Sequence, residues 1–257
     1  MSSAARGAAG LCLLLASACQ SQAEALRTDA FAHLERGDMT GALDDVRRCS
    51  RAEDDQERFL CASSLGELEI ISGDFRAAAL AFGDAFAVRD RIAASKHYGT
   101  PDATSLYEWA YADVQIGHLQ EASGALVRGK SSATEDGDNH ILRAAMLLLE
   151  AEIAQRSGDA KKASELQNDA SIDACSVNEL KYFDKGDGKR LPARYLPTLV
   201  WLDVGDACSS TGSSEAATML YMRALDQATL RREPQLATQA RAKPGVAAAM
   251  VLVSPTP

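Results

Sequence analysis

Aromatic residues are scarce in this chain: they make up 5% of its 257 residues. Such a low content is expected where small residues mediate the packing of helices. Basic residues are also in deficit, because 27 Lys and Arg stand against 36 Asp and Glu, for a net charge of −9. This balance argues against nucleic acid or an anionic lipid surface as a partner, since both carry negative charge.

Motifs for catalysis and metal binding are missing as well. The sequence contains no H-E-x-x-H, no G-x-S-x-G and no C-x-x-C. Its four histidines have no metal-ligand spacing among themselves or with the cysteines: His33, His97, His118 and His140. We therefore expect no metal, no cofactor and no enzymatic activity.

One stretch does fit a phosphate-binding loop, the pattern G-x-x-x-x-G-K-[ST] at residues 124–131. Such a loop follows a buried strand and opens a helix, whereas the residues before Gly124 are polar and typical of a helix. A nucleotide hydrolase that uses Lys130 is therefore the most remote alternative.

The amino terminus reads as an export signal. Residues 1–18 carry one basic residue, Arg6, no acid, and an apolar run too short to span a bilayer. The sequence Leu15-Ala16-Ser17-Ala18-Cys19 resembles the lipobox of bacterial lipoproteins, which implies acylation of Cys19. Ala16-x-Ala18 also suits ordinary signal peptidase, which would release a soluble exported protein. No other segment approaches 18 uninterrupted apolar residues.

Five glycines share one surrounding pattern. A small residue lies seven positions before each, alanine lies five positions after each, and a large apolar residue lies nine positions after four of the five. The glycines are Gly37, Gly73, Gly117, Gly158 and Gly212. Glycine ends a helix in the left-handed conformation, and Asp38, Asp74 and Asp159 follow directly as caps for the next helix. The pattern predicts repeated pairs of antiparallel helices in which the two helices of each pair pack closely.

This pattern resembles the tetratricopeptide repeat (TPR), a helix pair of 34 residues. The resemblance implies an all-α fold, a right-handed α-solenoid of about five TPR-like helix pairs. The expected organisation is a lipoprotein signal peptide at 1–18, a lipidated tether at 19–23, and the solenoid at 24–230. Residues 231–257 form a C-terminal tail that either caps the solenoid or is disordered.

By the same resemblance, partner contacts cluster on the concave groove, ten, six and three residues before each turn glycine. The predicted groove residues are Arg27, Phe31, Glu67, Tyr107, Tyr111, Glu152 and Asp206. The acids favour a basic or amphipathic protein or peptide partner. The alternative is that these acids are simply solvated helix faces.

Four cysteines remain besides Cys12 and Cys19, an even number in an exported protein. Cys49 and Cys61 lie almost equally far from the turn between two helices, so we predict that they form a disulfide. Pairing of Cys175 with Cys208 is left open, because a long insertion separates them. The alternative for all four is buried free thiols.

Together these features predict a non-catalytic interaction scaffold or assembly factor, anchored by lipid to the bacterial outer membrane and facing the periplasm. The alternative is a soluble exported protein that sequesters a basic partner.

Overall fold

The structure is a computed structural model that describes residues 21–95, 103–135, 140–175, 198–230 and 233–253. Within these ranges the chain is helical and contains no strand. The helices are α1 (Gln22–Glu35), α2 (Met39–Cys49), α3 (Asp55–Ser72), α4 (Phe75–Ser95), α5 (Ala103–Ile116), α6 (Leu119–Glu135), α7 (His140–Arg156), α8 (Ala160–Ala174), α9 (Thr198–Ser210), α10 (Ser214–Leu230), α11 (Pro234–Arg241) and α12 (Val246–Val253).

Each predicted turn glycine lies between two helices of a pair and has a positive φ, between 77° and 86°. This left-handed geometry strains any residue with a Cβ, which explains glycine at all five turns. Capping follows as expected: the carboxylates of Asp38, Asp74 and Asp159 accept hydrogen bonds from backbone amides three residues later. The predicted all-α solenoid of five TPR-like helix pairs is confirmed.

The seam inside each pair is built from the small and large residues of the repeat. The alanines five residues after the turns are all buried: Ala42, Ala78, Ala122, Ala163 and Ala217. A Cβ built on Gly66 would lie 2.6 Å from the ring of Phe82, and one on Gly205 would lie 2.6 Å from the ring of Tyr221. The large side chain therefore occupies the space that the small residue leaves.

Two disulfides join neighbouring helices. Cys49 at the end of α2 is bonded to Cys61 in α3, with Cα atoms 5.5 Å apart. Cys175, which follows α8, is bonded to Cys208 in α9, with Cα atoms 5.3 Å apart. The second bond establishes the pairing of Cys175 with Cys208, which the spacing of the cysteines left open.

The ends of the solenoid differ from the predicted boundaries. Helix α1 begins at Gln22, two residues before the predicted start of the solenoid. Residues 234–253, assigned to a tail, form α11 and α12, and a sixth positive-φ glycine, Gly245, lies between them. This short pair buries Ala237, Ala240 and Val246. None of the described helices is long and apolar enough to cross a lipid bilayer.

Candidate functional site

The first helices of the last three full pairs, α5, α7 and α9, bring together a group of tyrosines and acids. The hydroxyl of Tyr107 donates a hydrogen bond to Asp203 at 3.3 Å, although 96 residues separate them. The ring of Tyr107 stacks on Tyr111, with centroids 6.4 Å apart. We call Tyr107, Tyr111, Glu152, Asp203 and Asp206 the tyrosine–carboxylate cluster.

The electrostatics of the cluster show that its members act on one another. Desolvation by burial raises the pKa of Asp203 to about 7, and the charges of Asp206 and Glu152 add to the rise. Burial, together with the charges of Asp203 and Glu152, raises the pKa of Tyr111 to about 12. Three carboxyl groups therefore share one region of negative potential, which favours an approaching cation.

One cation already occupies part of this region. The ammonium of Lys243, which lies between α11 and α12, is 2.6 Å from each carboxylate oxygen of Asp206. It also lies 5.4 Å from the centroid of the Tyr221 ring, whose hydroxyl donates to Asp206 at 2.7 Å. The side chain of Asp206 remains 50% exposed. An ammonium group thus contacts a half-exposed carboxylate and the ring of a buried tyrosine here.

A second basic residue ties the cluster to the neighbouring repeat. Arg156 pairs with Glu152 at 2.5 Å and donates a further hydrogen bond to the backbone carbonyl of Val114 at 2.7 Å. Helix α7 is thereby fixed against the end of α5. The side chain of Glu152 is still 38% exposed, so it faces both its arginine and the solvent.

The structure places the predicted groove residues in two groups. Tyr107, Tyr111, Glu152 and Asp206 belong to the cluster, whereas the others lie on α1 and α3: Arg27, Phe31 and Glu67. Phe31 is 54% exposed, an unusually open position for a large apolar side chain. The predicted groove residues therefore include one exposed apolar side chain on α1, Phe31, and a group of acids on α7 and α9.

The prediction of Tyr107 as a contact residue is corrected by its burial. Tyr107 is 1% exposed, so its ring cannot touch a docked partner directly. Its place is beneath the surface, where it holds Asp203 by a hydrogen bond and supports the ring of Tyr111. Tyr111 is half-buried and stays accessible.

Asp203 is the cluster member that the sequence reasoning missed. It lies nine residues before Gly212, one residue after the ten-before position, which here is the buried Leu202. A rule of fixed offsets assigned the wrong neighbour, because a one-residue step turns a helix by about 100°. An aspartate inside an otherwise apolar helical run, Leu199 to Val204, was the available signal.

The phosphate-loop alternative conflicts with the geometry of residues 124–131. They lie within α6, between Leu119 and Glu135, so no strand-to-helix loop is present there. The ammonium of Lys130 pairs with Glu150 of α7 at 2.5 Å and thus serves helix packing.

Among the residues that the structure describes, no group of three or more His, Cys, Asp or Glu side chains could hold a metal ion. Cys19, the predicted lipidation site, lies outside the described residues.

Comparisons with known proteins give no family assignment: no protein-family model and no curated protein matches the chain. Two solved structures described as MamA are similar to it. One has 15% identity and a TM-score of 0.49, covering 82% of this chain and 94% of its own. The other has 16% identity and a TM-score of 0.46, covering 79% and 96%.

A third similar structure is a tetratricopeptide repeat protein from Parabacteroides merdae ATCC 43184. It has 11% identity and a TM-score of 0.37, covering 85% of this chain and 98% of its own. The fold assignment here rests on the turn glycines and helix seams of the chain itself.

Proposed function

We propose that this chain is a non-catalytic scaffold that holds a basic or amphipathic segment of a partner protein in its groove. The observation that carries the proposal is the ion pair between Lys243 and Asp206. This ion pair shows, within the chain, the kind of contact that a lysine or arginine of a partner would make with Asp206. The exposed Phe31 at the other end of the groove offers a contact for an apolar residue.

The contributions of the cluster members to binding differ. Tyr111 presents a large ring at low entropic cost and is the best source of binding energy. Glu152 and Asp206 steer a basic segment during encounter, an effect that salt weakens. Asp203 is desolvated, so a bound cation would favour its ionised form and lower its pKa from about 7.

We further propose that the scaffold works at the bacterial outer membrane, anchored through an acylated Cys19 and facing the periplasm. The lipobox-like residues before Cys19 support this location. The two disulfides support it as well, because disulfides persist in oxidising compartments. Three acyl chains on Cys19, as the lipoprotein resemblance implies, would anchor the protein durably.

The anchor is tested by mass spectrometry of the detergent-extracted protein. We expect a diacylglyceryl-modified Cys19 at the amino terminus, and release of the Cys19→Ala protein from the membrane fraction. A mature chain that starts at an unmodified Cys19 would contradict the lipoprotein proposal and favour the soluble sequestering protein instead.

The groove is tested by photocrosslinking in intact cells, with p-benzoylphenylalanine in place of Tyr111. The matched control carries the same residue in place of Ile172, a 71% exposed position on α8. We expect a partner crosslinked at position 111 and not at 172, with the crosslinked peptide rich in Lys or Arg. Equal capture at both positions, or capture only at 172, would contradict the groove.

A further inference from the structure

The interface between α2 and α3 contains a buried carboxylate that a surface arginine neutralises. Arg47 of α2 donates to Glu69 of α3 at 2.7 Å. The side chain of Glu69 is 4% exposed, whereas that of Arg47 is 49% exposed. The guanidinium therefore reaches inward from the surface to satisfy the acid below it.

One repeat later, the same two positions are Gly83 and Asp113. Arg47 and Gly83 each follow a turn glycine by ten residues, and Glu69 and Asp113 each precede one by four. The acid is kept, but the arginine is replaced by a residue with no side chain.

Contacts between α4 and α5 lie on either side of Gly83. Phe86 of α4 stacks on Trp109 of α5 with ring centroids 5.3 Å apart. Ala79, two helical turns before Phe86, belongs to the same apolar cluster as Ala112. Gly83 lies between Ala79 and Phe86 on α4, and Asp113 directly follows Ala112 on α5. A Cβ built on Gly83 meets only one atom within 4 Å among the described residues, the Trp109 ring at 3.9 Å.

Asp113 is left with an unsatisfied oxygen. The residue is 3% exposed, and its Oδ2 atom accepts no hydrogen bond from any residue that the structure describes. Its Oδ1 atom lies 3.6 Å from Nδ1 of His118. A buried carboxylate oxygen without a donor is costly, so a donor that reaches it gains a strong charge-assisted hydrogen bond.

We propose that Asp113, Gly83 and Trp109 form a binding site for the guanidinium of an arginine side chain from a partner protein. The arginine enters at Gly83 and takes the place that Arg47 takes in the preceding interface. Its planar head suits both the carboxylate and the edge of an indole, which a lysine ammonium matches less well. Leu80, 68% exposed and one turn before Gly83, offers an apolar contact to a residue beside the arginine.

This site differs from the groove in position and in chemistry. It involves α4, the second helix of its pair, and one buried acid in place of several half-exposed ones. The two sites can therefore be tested separately, and neither proposal depends on the other.

The test is an NMR titration of the full exported chain with N-acetyl-arginine amide, observed at the indole N–H signals of the two tryptophans. We expect a saturable shift of the Trp109 signal and none of Trp201, which is 2% exposed in α9. N-acetyl-lysine amide should bind at least about tenfold more weakly.

Three variants test whether binding occurs at this site. Asp113→Asn removes the charge without changing the shape and should weaken binding by about tenfold or more. Gly83→Arg supplies the guanidinium from within the chain and should abolish binding, while Gly83→Ala leaves the site open and should retain it. A Trp109 shift that is absent in the natural protein, or unchanged in Asp113→Asn, would overturn the proposal.

A last comparison separates a protein-borne arginine from a free one. A peptide with leucine beside arginine should bind more tightly than free L-arginine, because only the peptide can use Leu80. Replacing Leu80 by alanine should remove that advantage. Equal affinity of free arginine and peptide would contradict a protein partner as the source of the guanidinium.

Discussion

Single glycines decide how closely the paired helices approach. Gly205 lies against the ring of Tyr221, and the ring occupies the space that a Cβ would need. Gly124, in contrast, lies on an exposed part of α6 with no described atom near its missing Cβ. The same residue type is therefore required in one helix and merely tolerated in the other.

This contrast gives a matched pair of predictions in stability. Gly205→Ala should lower the free energy of unfolding by about 1–3 kcal/mol, because it overpacks the seam. Gly124→Ala should raise it by about 0.5–1 kcal/mol, because alanine stabilises a helix interior relative to glycine. Denaturant unfolding of the two variants measures both. Loss of stability in Gly124→Ala would show that this glycine has a conformational role after all.

Burial of Asp203 gives the protein a pH-dependent stability. Its pKa is about 7 in the folded chain, against an ordinary value of 3.8. Between these values the folded state holds the proton more tightly than the unfolded state does, so stability falls as pH rises from about 4 to 7. Asp113, with a pKa of about 6, acts in the same direction over a narrower range.

Asp203→Asn removes the carboxyl and can keep the hydrogen bond from Tyr107. The variant should therefore gain in Tm relative to the natural protein when the pH is raised from 5 to 8, by at least about 3 °C. Thermal unfolding monitored by circular dichroism at both pH values measures this gain. A constant difference in Tm between the two proteins would mean that Asp203 titrates normally.

Disulfides and apolar packing between helices both stabilise the arrangement of neighbouring repeats. The bond between Cys49 and Cys61 closes 12 residues across the junction of the first and second pairs. The bond between Cys175 and Cys208 closes 33 residues across the junction of the fourth and fifth pairs. Both lie between pairs rather than within one.

Loop length predicts which bond matters more. Replacing Cys49 and Cys61 by serine should cost about 3 kcal/mol of stability, by the loss of chain entropy in the unfolded state. Replacing Cys175 and Cys208 should cost about 1 kcal/mol more, because the longer loop restricts the unfolded chain further. Urea unfolding of the two double variants gives the order. The reverse order would indicate that local packing, and not loop closure, sets the contribution.

Across the solenoid, the features that repeat were predictable and those that occur once were not. Gly73 and Ala78 obey local rules of turn geometry and close packing, so their pattern predicts helix pairs from sequence. The pair α11–α12 was missed because Gly245 is followed by Met250 at the position where other repeats have alanine. The salt bridge from Lys243 to Asp206 depends on that pair and was hidden with it.

The tyrosine–carboxylate cluster was predicted in part for the same reason. The offset rule identified Tyr111, Glu152 and Asp206 on the first helices, but fixed offsets carry no information about how far neighbouring helices cover each position. Tyr107 is covered by neighbouring helices, and its hydroxyl donates to Asp203, a residue that the offsets did not identify. Which side chains meet across 96 residues depends on the stacking of whole repeats.

The proposed binding of a basic partner segment in the groove is tested by a dissociation rate. The rate is that of the segment found by crosslinking, measured for the natural protein and for Tyr111→Ala. We predict that Tyr111→Ala speeds dissociation by an amount worth about 1–3 kcal/mol, whereas Ile172→Ala and Lys130→Ala leave it unchanged. A silent Tyr111→Ala, together with loss of function in Lys130→Ala, would contradict the scaffold and favour the nucleotide hydrolase.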